Sequence, residues 1–197
     1  MKMINSIPAF LIILFSCNES QQPEAVKNDI AVPGEKKIFF PVTDFIKGQI
    51  AEIRTIGINP QKITVVNNKP DSTWLKMEEL NTEFGPFLSP VIDSVNLTGL
   101  FAEKKFLDQT IDAFTFTYDP VKALPDSFLL QHWDVYVDPR SNTVRRVYLL
   151  KKTADHNILQ LTWQTNKFCK LVSISKDAKG NDYVEKEITI KWDFDNQ

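Results

Sequence analysis

Histidine and cysteine are the scarcest chemistry-bearing side chains in this sequence of 197 residues: His132, His156, Cys17 and Cys169 are all there are. His132-Trp133-Asp134 lies in a run that alternates apolar and polar residues. On a strand, that alternation puts His132 and Asp134 on one face about 7 Å apart, close enough to supply two metal ligands or an acid–base pair. Tyr136 and Asp138 continue the same polar row. The plainer reading is a solvated sheet face beside a buried Trp133, which leaves His132, Asp134 and Tyr136 as weak candidates only. His156, in Thr-Ala-Asp-His-Asn, reads as a turn histidine. Cys169 has no neighbouring base in sequence to make it a nucleophile, so it reads as a buried or half-buried strand cysteine. The sequence has no Gly-x-Ser-x-Gly elbow, Ser-x-x-Lys pair, glycine-rich phosphate loop, Cys-x-x-Cys pair or His-Glu-x-x-His helix. The carboxylate pairs Glu78-Glu79 and Asp193 with Asp195 read as surface charge. No catalytic, cofactor or metal site is therefore assigned.

The elements that would carry these residues follow from hydrophobic spacing. Val42, Phe45, Ile46, Ile50, Ile53 and Ile56 recur every three or four residues, which predicts an amphipathic helix opened by Pro41 and closed by Gly57. Lys62 to Val66 and Thr73 to Met77 flank the turn-rich Asn67-Asn68-Lys69-Pro70-Asp71 and predict a hairpin. Residues 78–92 read as helical through Leu80, Phe84, Phe87 and Leu88, with Gly85-Pro86 and Pro90 as breaks. Residues 93–111 are mixed: a loop, a short helix or an edge strand.

Beyond residue 111 the period is two. Phe114, Phe116 and Tyr118 alternate with threonines, and Trp133, Val135 and Val137 with polar partners. Val144 to Lys151 follows a turn at 138–142. Leu159, Leu161 and Trp163 share a face, Phe168 to Ser175 follows, and a turn at 176–182 leads into Val184, Ile188, Ile190, Trp192 and Phe194. The expected fold is α+β: an antiparallel meander of about six strands with the N-terminal helix or helices packed on one face.

The composition supports a folded core, being 43% hydrophobic and 11% aromatic. A formal charge of −2 without clustered Lys and Arg offers no positive field for a phosphate backbone, so nucleic acid is excluded as a partner. Residues 1–16 have one Lys and then an apolar run from Phe10 to Phe15, shorter than the roughly 20 residues a spanning helix needs. This reads as a secretory leader. Residues 17–37 are polar and turn-rich and read as a flexible tether. The domain is then 38–197.

Leu14-Phe15-Ser16-Cys17 resembles the bacterial lipobox, with Leu at −3, Ser at −1 and Cys at +1; Phe15 departs from the usual small or aliphatic residue at −2. The resemblance implies cleavage before Cys17 and lipid on its sulfur, because only a thiol becomes the thioether that carries diacylglycerol. Two or more acyl chains then hold a protein stably on a membrane. Asn18 at +2 is not the aspartate of an inner-membrane retention signal, which favours the outer membrane. Phe39-Phe40-Pro41 with Phe45-Ile46, Lys62-Ile63-Thr64, and Glu79-Leu80 with Phe84 before a strand-rich end resemble envelope lipoproteins of the Bacteroidetes type. That resemblance implies an address and a fold and transfers no functional residue.

Three functions fit these features. The leading one is a non-enzymatic binding or structural module of the cell envelope, held by lipid on Cys17 and contacting an envelope protein, glycan or lipid. It predicts an exposed apolar or aromatic patch. The alternative is a carrier or chaperone for lipid or acyl chains, which needs an apolar cavity of several hundred Å³ between helices and sheet. The third, a hydrolase using His132, Asp134 or Cys169, needs those side chains to converge in a cleft.

Overall fold

Val42, Thr43, Ile46, Ile50 and Ile53 form the buried stripe of helix α1, Val42–Ile56. Pro41 caps its start, and Gly57, in the left-handed conformation at φ 76°, ends it by donating its N–H to Ile53 O. In this computed structural model the described residues run from 38 to 193. The leader, the tether with Cys17, and Phe194 and Asp195 lie outside the described residues.

The rest of the chain is dominated by strands: β1 Gln61–Val66, β2 Lys69–Trp74, β3 Phe101–Asp108, β4 Ala113–Pro120, β5 Leu130–Val137, β6 Val144–Lys152, β7 Ile158–Gln164, β8 Phe168–Lys176 and β9 Asp182–Lys191. They form one nine-stranded antiparallel sheet in the order β2-β1-β9-β8-β7-β6-β5-β4-β3. A 3₁₀ turn, Met77–Glu79, and three short helices, α2 Leu80–Glu83, α3 Gly85–Leu88 and α4 Ser94–Leu97, lie between β2 and β3.

The expectation of about six strands is thus an undercount, for two physical reasons. The early hairpin joins the main sheet because β1 pairs with β9, Gln61 opposite Lys191 through Val66 opposite Lys186, a partnership between the two ends of the chain that no local pattern displays. β3 is an edge strand whose middle, Glu103-Lys104-Lys105, is charged on both faces, so its alternation is lost; residues 93–111 hold this strand and α4.

Three local expectations also shift. The hairpin turns on Asn67-Asn68 alone, at φ 51° and 61°, as a tight two-residue turn of matching twist demands, so β2 begins at Lys69 and not at Thr73. The helix expected over 78–92 breaks into pieces, with Pro86 in the first turn of α3, yet Leu80, Phe84 and Phe87 are all fully buried. Val184 leaves the core face: a bulge between Ser173 and Ile174 puts Lys186 opposite Ser173 but Val184 opposite Ile174, and Val184 is 58% exposed.

One face of the sheet is covered by α1 and the short helices, whose Ile46, Ile50, Ile53, Leu80, Phe84 and Phe87 share one apolar cluster with sheet residues. Two groups of rings fill it. Around Trp133, Tyr118 stacks at 4.4 Å between centroids, while Phe101 lies tilted at 4.7 Å and Phe39 edge-on at 6.0 Å. Around Trp163, Phe84 and Phe87 meet it edge-on at 5.1 and 5.3 Å and Trp192 lies at 5.0 Å. Such pairs add about 0.5–1.5 kcal/mol each beyond burial.

One cation is enclosed with the rings. Lys151, 5% exposed near the end of β6, donates its Nζ to Pro86 O and Ser89 O and so fastens the α3 segment to the sheet. Burial pushes its pKa down to about 8. Because the folded value lies below the unfolded one, the ammonium opposes folding at low pH, and stability rises between pH 8 and the ordinary lysine value of about 10.4 by roughly 3 kcal/mol. Denaturant titrations across this window should show that rise in the wild type and not in Lys151→Met; parallel curves would mean that the amine is not enclosed.

Candidate functional site

β5 places Trp133, Val135 and Val137 toward the core, and strand geometry therefore turns His132, Asp134 and Tyr136 to the opposite face. The three weak candidates do stand together. Their neighbours come from strands that only pairing brings alongside: Thr117 of β4 is opposite Asp134, and Tyr148 of β6 is opposite it on the other side.

The geometry is a chain of charge-assisted contacts across three strands. His132 Nδ1 lies 2.8 Å from Asp119 Oδ1, and its Nε2 lies 3.1 Å from Asp134 Oδ2. Thr117 Oγ1 donates to Asp134 Oδ1 at 2.7 Å, and Tyr136 OH donates to Asp134 Oδ2 at 3.1 Å. Lys104 of β3 donates to Asp119 Oδ2 at 2.9 Å. Arg146 of β6 stacks over the Tyr136 ring at 4.0 Å, and the Tyr148 ring lies 6.3 Å from that of His132.

The electrostatics follow from these contacts. The hydrogen bond to Asp134 raises the His132 pKa above its ordinary value, against the opposing effect of burial and with further help from Asp119. Burial works against ionisation of Asp134, but His132, Thr117 and Tyr136 outweigh it and hold the carboxyl below its usual range. Lys104 foremost, opposed by burial and then helped by His132, keeps Asp119 low as well. Both ring nitrogens face carboxylate oxygens, which only accept hydrogen bonds when ionised, so the imidazolium is the form that satisfies the site.

This arrangement is saturated. Each carboxylate oxygen of Asp119 and Asp134 already has a partner, and both nitrogens of His132 are taken. The acid–base reading needs a free lone pair on the imidazole, and the metal reading needs His132 and Asp134 to turn toward a shared ion instead of toward each other. Among the described residues no group of three or more His, Cys, Asp or Glu side chains is arranged to hold a metal. Cys169 sits on the core face opposite Trp163 and Ile190, fully buried, with its thiol pushed well up by that burial, so it cannot converge with His132 and Asp134. His156 occupies the β6–β7 turn at φ 61°. Of the carboxylate pairs, Glu79 accepts from the Lys76 N–H at 2.7 Å as a local cap.

Asp119, Thr117, Lys104, Arg146 and Tyr148 were not singled out in the sequence. Thr117 and Asp119 are two residues apart in the Phe114–Tyr118 alternation, which is the one local sign that they share a polar face; their meeting with His132 depends on the β4–β5 register.

A second surface lies at the β3 edge. Phe106 is 50% exposed and Leu107 48%, on opposite faces of the strand, and Phe114, paired with Leu107, is 44% exposed. Ile111 in the connecting turn is exposed too. The other edge, β2, reads Lys-Pro-Asp-Ser-Thr-Trp and carries Pro70, which has no N–H to offer a neighbour.

A cavity of about 280 Å³ also opens beside α1, lined by Gln49, Glu52, Ile53, Ile56, Asn166 and Trp192 among others. Its lining mixes amides and a carboxylate with isoleucines, unlike the apolar groove an acyl chain requires. Among the described residues no helix is long and apolar enough to cross a membrane. Comparison with known protein families, curated proteins and solved structures finds no match to this chain.

Removing one charge tests the network. Asp134→Asn should lower the His132 pKa toward the ordinary value of about 6.5, visible in imidazole NMR shifts, and destabilise the fold by about 1–3 kcal/mol. The depressed carboxylates contribute stability above their ordinary pKa of about 3.9 that is lost as pH falls through the lower folded values, so the gap between variant and wild type should narrow in acid. An unchanged imidazole titration would show that the two side chains do not interact in solution.

Proposed function

We propose that this chain is a lipid-anchored module of the cell envelope, most consistent with the outer membrane, that acts without catalysis by binding extended segments of other envelope proteins at the β3 edge. The observation that carries the reading is the contrast between the two sheet edges. β2 exposes Trp74 but is interrupted by Pro70, whereas β3 continues from Glu103 to Asp108 with no strand on its outer side among the described residues and with Phe106 and Leu107 exposed. An edge of this kind accepts an added strand: backbone hydrogen bonds supply affinity, and alternate side chains supply selectivity.

The chemistry of the occupant follows from the edge. Its apolar side chains would lie over Phe106 on one face and over Leu107 and Phe114 on the other. The anchor rests on the leader and Cys17. The carrier reading is less well supported, because the space between helices and sheet holds the ring clusters of Trp133 and Trp163. The hydrolase reading lacks convergent groups with free valences.

Two experiments test this. Metabolic labelling with a clickable fatty acid should mark the wild-type chain and place it in membranes, and Cys17→Ser should lose both; no label on the wild type would remove the anchor. A photoreactive residue at Lys105 in cells should crosslink a partner whose yield falls about tenfold, near 1.4 kcal/mol of affinity, when Phe106→Asp and Leu107→Asp are introduced together. Equal crosslinking from Ser72 on β2, or a yield that survives the double substitution, would overturn strand addition at β3.

A further inference from the structure

In the strand order the β3–β4 hairpin pairs with the remaining strands at the β4–β5 seam, and its turn is held separately by Arg145 of β6, whose Nη1 donates to Ile111 O and Asp112 O at 3.2 and 2.9 Å. The register of that seam runs from Phe114 opposite Val137 to Tyr118 opposite Trp133. On its core face Tyr118 stacks on Trp133, but Phe114 at the far end is 44% exposed, so apolar packing holds one end of the hairpin better than the other. On the outer face the seam is crossed by Asp119 to His132 and by Thr117 to Asp134, while Lys104 extends the chain onto β3 itself.

We propose that His132 is a proton-operated clamp on the β3–β4 hairpin, which locks the hairpin to β5 as imidazolium and loosens it as neutral imidazole. The inference rests on the strand-addition reading above and gives it a regulator, since a locked β3 is a preorganised template for an incoming strand and a loosened one is not.

The mechanism lies in the donor count. The imidazolium donates from Nδ1 to Asp119 on β4 and from Nε2 to Asp134 on β5, so one charge bridges the two strands. When a proton leaves, the neutral ring keeps one N–H: left on Nδ1 it still reaches Asp119 but without its charge, and Nε2 turns a lone pair on Asp134 beside it, so the contact across the seam is weakened. The other groups facing His132 do not replace the lost bond. Lys104 from β3 is engaged by Asp119, Tyr136 on β5 already donates to Asp134, and from β6 Arg146 lies over Tyr136 while Tyr148 offers a ring tilted at 59°. Because the folded pKa is raised, the stabilisation is complete below about pH 6.5 and is lost as pH rises through the higher folded value. Lys151, which titrates at about 8, acts with the opposite sign, and it does so through the α3 segment on the core side.

Hydrogen exchange of the full processed chain, followed by mass spectrometry and corrected for the intrinsic pH dependence of amide exchange, tests the clamp. Protection of peptides spanning 101–120 should fall severalfold as pH rises through the His132 titration, relative to peptides spanning 158–176. His132→Gln should abolish that pH dependence. Asp119→Asn should move the transition to lower pH, an effect that a purely structural role would not produce. Equal behaviour of the two regions at every pH, or the same fall in His132→Gln, would overturn the clamp. The two proposals fail separately: without strand addition the exchange pattern persists while the Phe106-dependent crosslink is missing, and without the clamp the crosslink persists and exchange is insensitive to pH.

Discussion

Covering one face of a wide antiparallel sheet is the constraint on which the rest of this structure depends. Trp133, Val147, Leu149, Leu161, Trp163, Cys169 and Ile190 all reach zero exposure on that face, and the stripe of α1, the side chains of the short helices and connecting residues such as Phe39 and Ile92 exclude water from them. Aromatic rings carry much of this. Removing a buried Phe or Trp typically costs about 3–5 kcal/mol, and several meet here in edge-on and stacked pairs. The broken segment from Leu80 to Leu88 is tolerated for the same reason. It needs to deliver Leu80, Phe84 and Phe87 to the core more than it needs to remain one helix.

Covering one face leaves the other to water, and there the sheet builds a polar seam instead of a second core. Isolated exposed ion pairs contribute little, but His132, Asp119 and Asp134 are only partly exposed and share partners, a setting in which coupled charges count for more than separate pairs. The network spans β3 to β5. Lys151 on the core side performs a comparable task, tying α3 to β6 through backbone carbonyls that the helix breaks leave open.

The two edges of the sheet are treated unequally. Pro70 interrupts β2, whereas β3 and its partner β4 expose Phe106, Leu107 and Phe114. Long exposed apolar edges are ordinarily selected against because they template aggregation.

Local periodicity determined much of this protein by itself. The Ile stripe, Pro41 and Gly57 marked α1; the alternation from Phe114 onward marked β4 to β9; and the polar row His132, Asp134, Tyr136 was placed on one face correctly. These follow from the helical and strand repeats, which are properties of neighbouring residues. Tertiary structure alone decided what depends on distant partners: the pairing of β1 with β9, the exposed edge role of β3, the bulge that turns Val184 outward, and the arrival of Asp119, Thr117 and Lys104 around His132. Register between strands is fixed by the whole core, so a histidine that reads in sequence as half of a ligand pair is found bridging two carboxylates, one of them thirteen residues away on another strand.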